Sequence, residues 1–303
     1  MLITKLTQVI DSIDPYGHRR VNALQILFVI ICLFFMNLFF SPPYFQQLIM
    51  IFMGAFLCTA EIINYNQRQI YVGVFCLLTI ICAILINLVK EYNYASVLMV
   101  GFMLSSLYLA AKKFPQLFIM IIMLYMFSIA VVQIKVGGSY YVYINYILLL
   151  SVYTLVAIAC MNLFPRIYYF RVWLRAYCLS LQEIEQSIHN LVTNSGTTQT
   201  NHLIAMNKYT LSLNYKDHGF SARKTNILLL DLHNFLIVYK QNTTVAKPLE
   251  LVQIAAICAD IRKSIAHHSP IDLTTIQFIN LPNNIANSLQ QLIYIWNKLC
   301  LKT

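Results

Sequence analysis

Glu61 is the residue of this chain whose position suggests chemistry first. It closes the apolar run YFQQLIMIFMGAFLCTA (44–60). A carboxylate at the edge of a low-dielectric segment is costly unless it pairs, reaches water or titrates, so it is a candidate proton carrier. Arg68 follows seven residues later and could pair with it if the helix continues. Lys112 and Lys113 lie in a second short basic loop, and Arg166, Arg171 and Arg175 form a third cationic group. Arg68, Lys112 and Lys113 would draw organic anions toward a pore. The bias of cytoplasmic loops toward Lys and Arg explains the same residues without any substrate.

Other chemistries have little to stand on. The chain contains no GxSxG, P-loop, GxGxxG or HExxH pattern, and only eight glycines. A catalytic site and a phosphate-cradling loop are therefore not expected. Six histidines (189, 202, 218, 233, 267, 268) fall in the C-terminal half without HxxxH spacing. They read as solvated or core histidines, and no metal site or cofactor is expected. The eight cysteines include no CxxC pair, and five (32, 58, 76, 82, 160) fall in apolar runs where they act as small hydrophobes. Neither a disulfide framework nor a zinc site is indicated.

The elements that would position these residues follow from charge and hydropathy. Of 303 residues 59% are hydrophobic and 11% charged, with mean hydropathy +0.66. Residues 21–165 carry only Glu61, Arg68, Lys90, Glu91, Lys112, Lys113 and Lys135. Six apolar runs result, at 21–40, 44–60, 69–89, 92–111, 114–134 and 139–164. Each is of a length to cross a bilayer, the second being the shortest. The first is too long for the apolar core of a secretory signal and lacks a small-x-small cleavage site. The expected fold is all-α: a polytopic membrane protein with six transmembrane helices followed by a cytoplasmic helical bundle. Its divisions are an N-terminal segment 1–20, a membrane domain 21–165 and a cytoplasmic domain 166–303.

With the N-terminus inside, the cytoplasmic side carries Lys5, Arg19, Arg20, Arg68, Lys112, Lys113, Arg166, Arg171 and Arg175. The other side carries Lys90 and Lys135, so both termini are expected in the cytoplasm. The net charge of +10 is then a topology signal, and Arg166, Arg171 and Arg175 would meet lipid headgroups at the last exit. No nucleic-acid partner is expected. Tyr140, Tyr141 and Tyr143 would form an outer aromatic belt, and Tyr168, Tyr169 and Trp173 an inner one. Polar residues within the runs, among them Gln25, Ser105, Ser106 and Asn162, read as hydrogen-bonding glue between helices, with a subset free to line a path.

The C-terminal half reads as helical throughout. Leu181, Ile184, Ile188 and Leu191 keep a 3.6-residue period, and TNSGTTQTN (193–201) is a polar break. Helices are predicted over 202–213, 222–240, 248–267 with Pro248 in the first turn, and 282–300. The last places Ile285, Leu289, Ile293 and Trp296 on one face. The helix 222–240 is apolar nearly all round, which implies burial mid-bundle or against a partner.

Four stretches carry a resemblance: RRVNALQILFVIICLFF, SPPYFQQLIMIFMGAF, NYNQRQIYVGVF and FPRIYYFRVWLRAYCLSLQEIEQ. An N-in block of six spans with short loops, passing directly into a helical cytoplasmic domain, resembles the fusaric acid resistance (FUSC) or aromatic acid exporter family. The resemblance implies a bacterial inner-membrane transporter or efflux component for small anionic or aromatic compounds. Many members hold two copies of this unit and the present chain holds one, so a homo-oligomer, a dimer, is implied beside membrane lipids. A periplasmic adaptor protein is a further implied partner. The alternative from the residues alone is a non-transporting membrane scaffold or regulatory protein whose cytoplasmic helices bind a partner.

Overall fold

The computed structural model describes residues 9–40, 70, 73–74, 77–78, 81, 84–85, 93–113, 140–193, 200–213, 218–241, 248–276, 278 and 281–301. Among them the regular structure is helical, with no strand. The α-helices are α1 (His18–Phe40), α2 (Asn93–Lys113), α3 (Tyr140–Leu163), α4 (Ile167–Val192), α5 (Asn201–Thr210), α6 (Phe220–Gln241), α7 (Pro248–His267) and α8 (Asn283–Cys300). The chain forms two compact units. One is Arg19–Pro165; the other joins the residues through His18 to Arg166–Thr303.

In the first unit α1 turns Leu24, Leu27, Ile31, Phe34, Phe35, Leu38 and Phe39 outward, Phe39 being 84% exposed. Its opposite stripe, Val21, Gln25, Val29 and Leu33 at four-residue steps, is buried. Gln25 donates from Nε2 to the carbonyl of Met161 on α3 at 3.4 Å, and Phe28 meets Phe164 edge-on at 5.9 Å. Ala157 and Cys160 on the buried face of α3 are small enough to admit a close neighbour. In α2, Ser105 and Ser106 donate back to the carbonyls of Gly101 and Phe102. The donor of each of these two hydroxyls is satisfied within its own helix.

By length and hydropathy, one helix among the described residues suffices alone to cross a membrane. Its stretch His18–Met36 has a hydropathy of 1.8 and only 22% of it is buried. A second is reached only if the helices either side of Pro165 are counted together. Six spans were expected. The runs 44–60 and 114–134 lie outside the described residues and 69–89 largely so. The runs 92–111 and 139–164 coincide with α2 and α3, helices of 21 and 24 residues.

The second unit is built on α4. Trp173, Tyr177, Leu181, Ile184 and Ile188 recur at helical spacing along it and are buried. A second stripe, Ala176, Ser180, Glu183 and Ser187, is buried as well. Two buried faces let α4 receive α7 along one side and α5 along another, while α6 packs on α8, α5 and α4. Burial of so many large apolar groups is the main stabilising contribution, at about 25 cal/mol per Å² removed from water.

Trp173 departs from the expected aromatic belt. It is 0% exposed, lies stacked between Phe170 and Tyr177, and donates its indole N–H to Thr210 Oγ1 at 3.0 Å. It belongs to the core, because an indole with a buried acceptor in reach has no need of an interface. The other tryptophan, Trp296, shares its N–H between Ser264 Oγ and the Ser269 carbonyl, both at 3.0 Å. Asn297 holds the segment beyond α7 through both amide groups, accepting from Ile271 N and donating to Ile271 O at 2.8 Å each.

Helix 222–240 was expected mid-bundle or against a partner. In α6, Ala222, Leu229, Leu232 and Leu236 are buried, but Phe220, Ile227, Leu230, Ile237 and Val238 face outward. Within this unit it is a two-faced apolar helix with one face covered.

Candidate functional site

Glu61 and Arg68 lie outside the described residues. Lys112 and Lys113 form the last turn of α2, exposed, where cations complement the negative end of a helix. Arg166 immediately precedes α4, and Arg171 and Arg175 are exposed one turn apart on it. The Arg171 guanidinium lies 5.9 Å from the centre of the Tyr168 ring, a cation–π contact. Tyr168, Arg171 and Arg175 thus share one outward face of α4.

The site that sequence reading missed is polar and buried. Glu183, 4% exposed, accepts at Oε2 from the backbone N–H groups of His202 (3.0 Å) and Leu203 (3.2 Å). These donors open α5, whose own N-cap, Thr200, offers no side-chain bond. A carboxylate from another helix therefore satisfies two orphan donors and places its charge at the positive end of α5. On the outer side His202 Nδ1 meets the hydroxyl of Tyr16 at 2.8 Å. Tyr16 and His18 also pack on the Tyr209 ring, at 5.2 and 5.1 Å. Of the segment set apart by sequence reading as 1–20, Tyr16 and His18 are held on α5 by these rings, with Gly17 between them at φ 78°.

The electrostatics are those of a buried site. Burial, then the Glu183 charge, raises the Tyr16 hydroxyl above its ordinary range. His233 on α6, also 4% exposed, is pushed below its ordinary value by burial, with the Glu183 charge opposing. Glu183 Oε1, His233 Nε2 and the Tyr177 hydroxyl have no hydrogen-bond partner among the described residues. Burial raises the Tyr177 hydroxyl well beyond its usual value. Burial also pushes the Cys258 thiol up to about 12 and that of Cys178 to about 11, the latter against the pull of Arg262. Both thiols are protonated at neutral pH and poor nucleophiles. Arg262 forks onto Glu185 through Nε and Nη2, each at 3.0 Å, and ties α7 to α4.

The signal that could have found Glu183 was the second stripe: three small residues and one carboxylate at helical spacing mark a face that admits another helix. His233 and Asp231, close in sequence, part company, His233 inward and Asp231 exposed. No group of three or more His, Cys, Asp or Glu side chains forms a metal cluster among the described residues. An open groove of about 510 Å³ runs along α8, lined by Leu273, Phe278, Asn287, Gln290, Gln291 and Tyr294. The buried polar centre can orient α5 and the N-terminal segment and respond to protonation; it holds no nucleophile poised for attack. No protein-family profile, curated protein or solved structure matches the chain.

Proposed function

We propose that the chain is a multi-pass inner-membrane transporter or efflux component for small anionic or aromatic compounds, with six spans and a cytoplasmic helical domain. The observation that carries the membrane part is the outer face of α1. A helix of 23 residues, about 34 Å long at 1.5 Å per residue, turns seven large apolar side chains outward. Lipid, at a hydrocarbon thickness of about 30 Å, is the medium that such a face suits. The helical extents of α2 and α3 support further spans. The substrate class rests on the resemblance in sequence and on the exposed cations Lys112, Lys113, Arg171 and Arg175. Glu61 is proposed as the proton-coupled group, with Arg68, Lys112 and Lys113 attracting the anion. A second reading, a non-transporting scaffold, is favoured by the uncovered face of α6.

The test is efflux of labelled aromatic and dicarboxylic acids from preloaded cells. The native chain, Glu61→Gln and an empty vector are compared with and without a protonophore. The proposal expects efflux that needs the protein and falls in Glu61→Gln or with protonophore. Equal leakage from all three strains across a broad panel of acids would retire it in favour of the scaffold.

A further inference from the structure

We infer that two copies of this chain associate through the outer face of α6, packed antiparallel about a two-fold axis between Ile227 and Leu230. The inference rests on α6 alone, so it and the transport reading can fail separately.

The outward residues of α6 repeat every seven positions. Phe220, Ile227 and Asn234 make one row, Arg223, Leu230 and Ile237 a second, and Lys224, Asp231 and Val238 a third. All nine are exposed, and the positions between the rows turn into the bundle. Five of the nine are large and apolar, from 36% exposed at Ile237 to 61% at Ile227. Scattered exposed leucines are ordinary, but five large apolar side chains gathered on one helix face suit the packing of a second helix.

Charge identifies the occupant as a second copy and sets its direction. In an antiparallel pair the first row of one helix meets the second row of the other. Phe220 then layers on Ile237, and Ile227 on Leu230. Arg223 meets Asn234, the one polar member of each row meeting the other. The third rows flank one another, and Lys224 of each copy comes beside Asp231 of its partner. The surface is thus self-complementary, as a two-fold interface requires. A parallel pair would stack Arg223 on Arg223 and leave Lys224 and Asp231 without opposite charges. Lys224 and Asp231 lie about two turns apart on their own helix, about 10 Å along the axis, and cannot satisfy each other there.

Paired cysteines in the full chain, in its native membrane, test this directly. Under oxidation Phe220→Cys/Ile237→Cys is expected to give a covalent dimer, whereas Phe220→Cys alone should match the wild-type background. In the antiparallel pair the two copies of position 220 lie about 25 Å apart. Cross-linking of the single variant would mean a parallel pair, and no cross-linking in either would mean no such seam. Both outcomes overturn the inference, as does capture of a different protein in place of a second copy. Charge reversal supplies an independent arm. Asp231→Lys and Lys224→Asp should each weaken self-association about ten-fold, and the double reversal should restore it. Failure of the double reversal to rescue would overturn the pairing even if the chain dimerises by another surface.

Discussion

Helices α6 and α8 pack on each other in one bundle yet end differently on their outer sides. Both bury an apolar stripe. Beyond its stripe α8 shows Asn283, Asn284, Asn287, Gln290, Gln291 and Lys298, with Tyr294 the one large apolar side chain among them. Beyond its own, α6 shows Phe220, Ile227, Leu230, Ile237 and Val238. Amide and ammonium groups keep their hydration on folding, so α8 is complete in water. The face of α6 retains an unfavourable hydration term that only a further surface removes. The inferred self-association through α6 rests on this difference between the two outer faces.

The comparison is broken most strongly by matched truncations on the inner faces. Leu289→Ala on α8 and Leu232→Ala on α6, both at fully buried positions, should each cost about 2–5 kcal/mol. Urea unfolding of the detergent-solubilised chain followed by tryptophan fluorescence measures this, because both tryptophans lie in this unit's core. If α6 were loosely held, its variant would cost far less than that of α8.

Next in size is the centre that joins α4, α5 and the N-terminal segment. Glu183→Ala should lose about 1–2 kcal/mol, the worth of an N-cap bond in a partly satisfied site. It should also loosen Tyr16 from α5, so that limited proteolysis cuts ahead of His18 sooner. Unchanged stability and cleavage would show that α5 needs no cap from α4.

A smaller effect is expected from pH. The folded value of His233 is depressed below the ordinary 6.5, so the unfolded chain takes up a proton first as pH falls. His233 therefore contributes stability that is fully present above about 6.5 and is lost as pH falls through its folded value. His233→Asn should flatten that part of the stability profile, and a profile unchanged by the substitution would place the titration elsewhere. At the other extreme the raised thiols of Cys178 and Cys258 favour folding below about pH 9, and that contribution is lost as pH rises toward 11 and 12.

The smallest effects distinguish the outer faces. Gln290→Ala on α8 and Ile227→Ala on α6 should each change unfolding stability of the separated chain by less than about 0.5 kcal/mol. Only the second should reduce self-association, read by cross-linking in the membrane. Equal loss from both would erase the distinction between the two faces.

Sequence patterning reads well where one period dominates. Ile285, Leu289, Ile293 and Trp296 were assigned to the inner face of a helix over 282–300, and α8 buries all four. Pro248 opens α7 as expected, since a residue without an N–H is tolerated in the first turn. Of the stripe in α4, Leu181, Ile184 and Ile188 are buried and Leu191 only partly so. The reading failed where local composition serves two environments equally. Trp173, flanked by Arg171 and Arg175, has the composition of a headgroup belt, and only Thr210, 37 residues away, supplies the acceptor that draws it into a core. Nothing near Glu183 in sequence announces the α5 amides it caps.

What the sequence determined by itself is the local patterns: long uncharged runs, amphipathic stripes, and the nearly all-round apolar character of 222–240. These follow from local side-chain order on a helix of 3.6 residues per turn, and no folding is needed to count them. Which of two apolar faces is covered, which carboxylate caps which helix, and whether an aromatic beside arginines is core or surface were decided only by tertiary structure. Each depends on a partner group distant in sequence, and the cost of leaving a buried donor unpaired or an apolar face wet is set by what that partner offers.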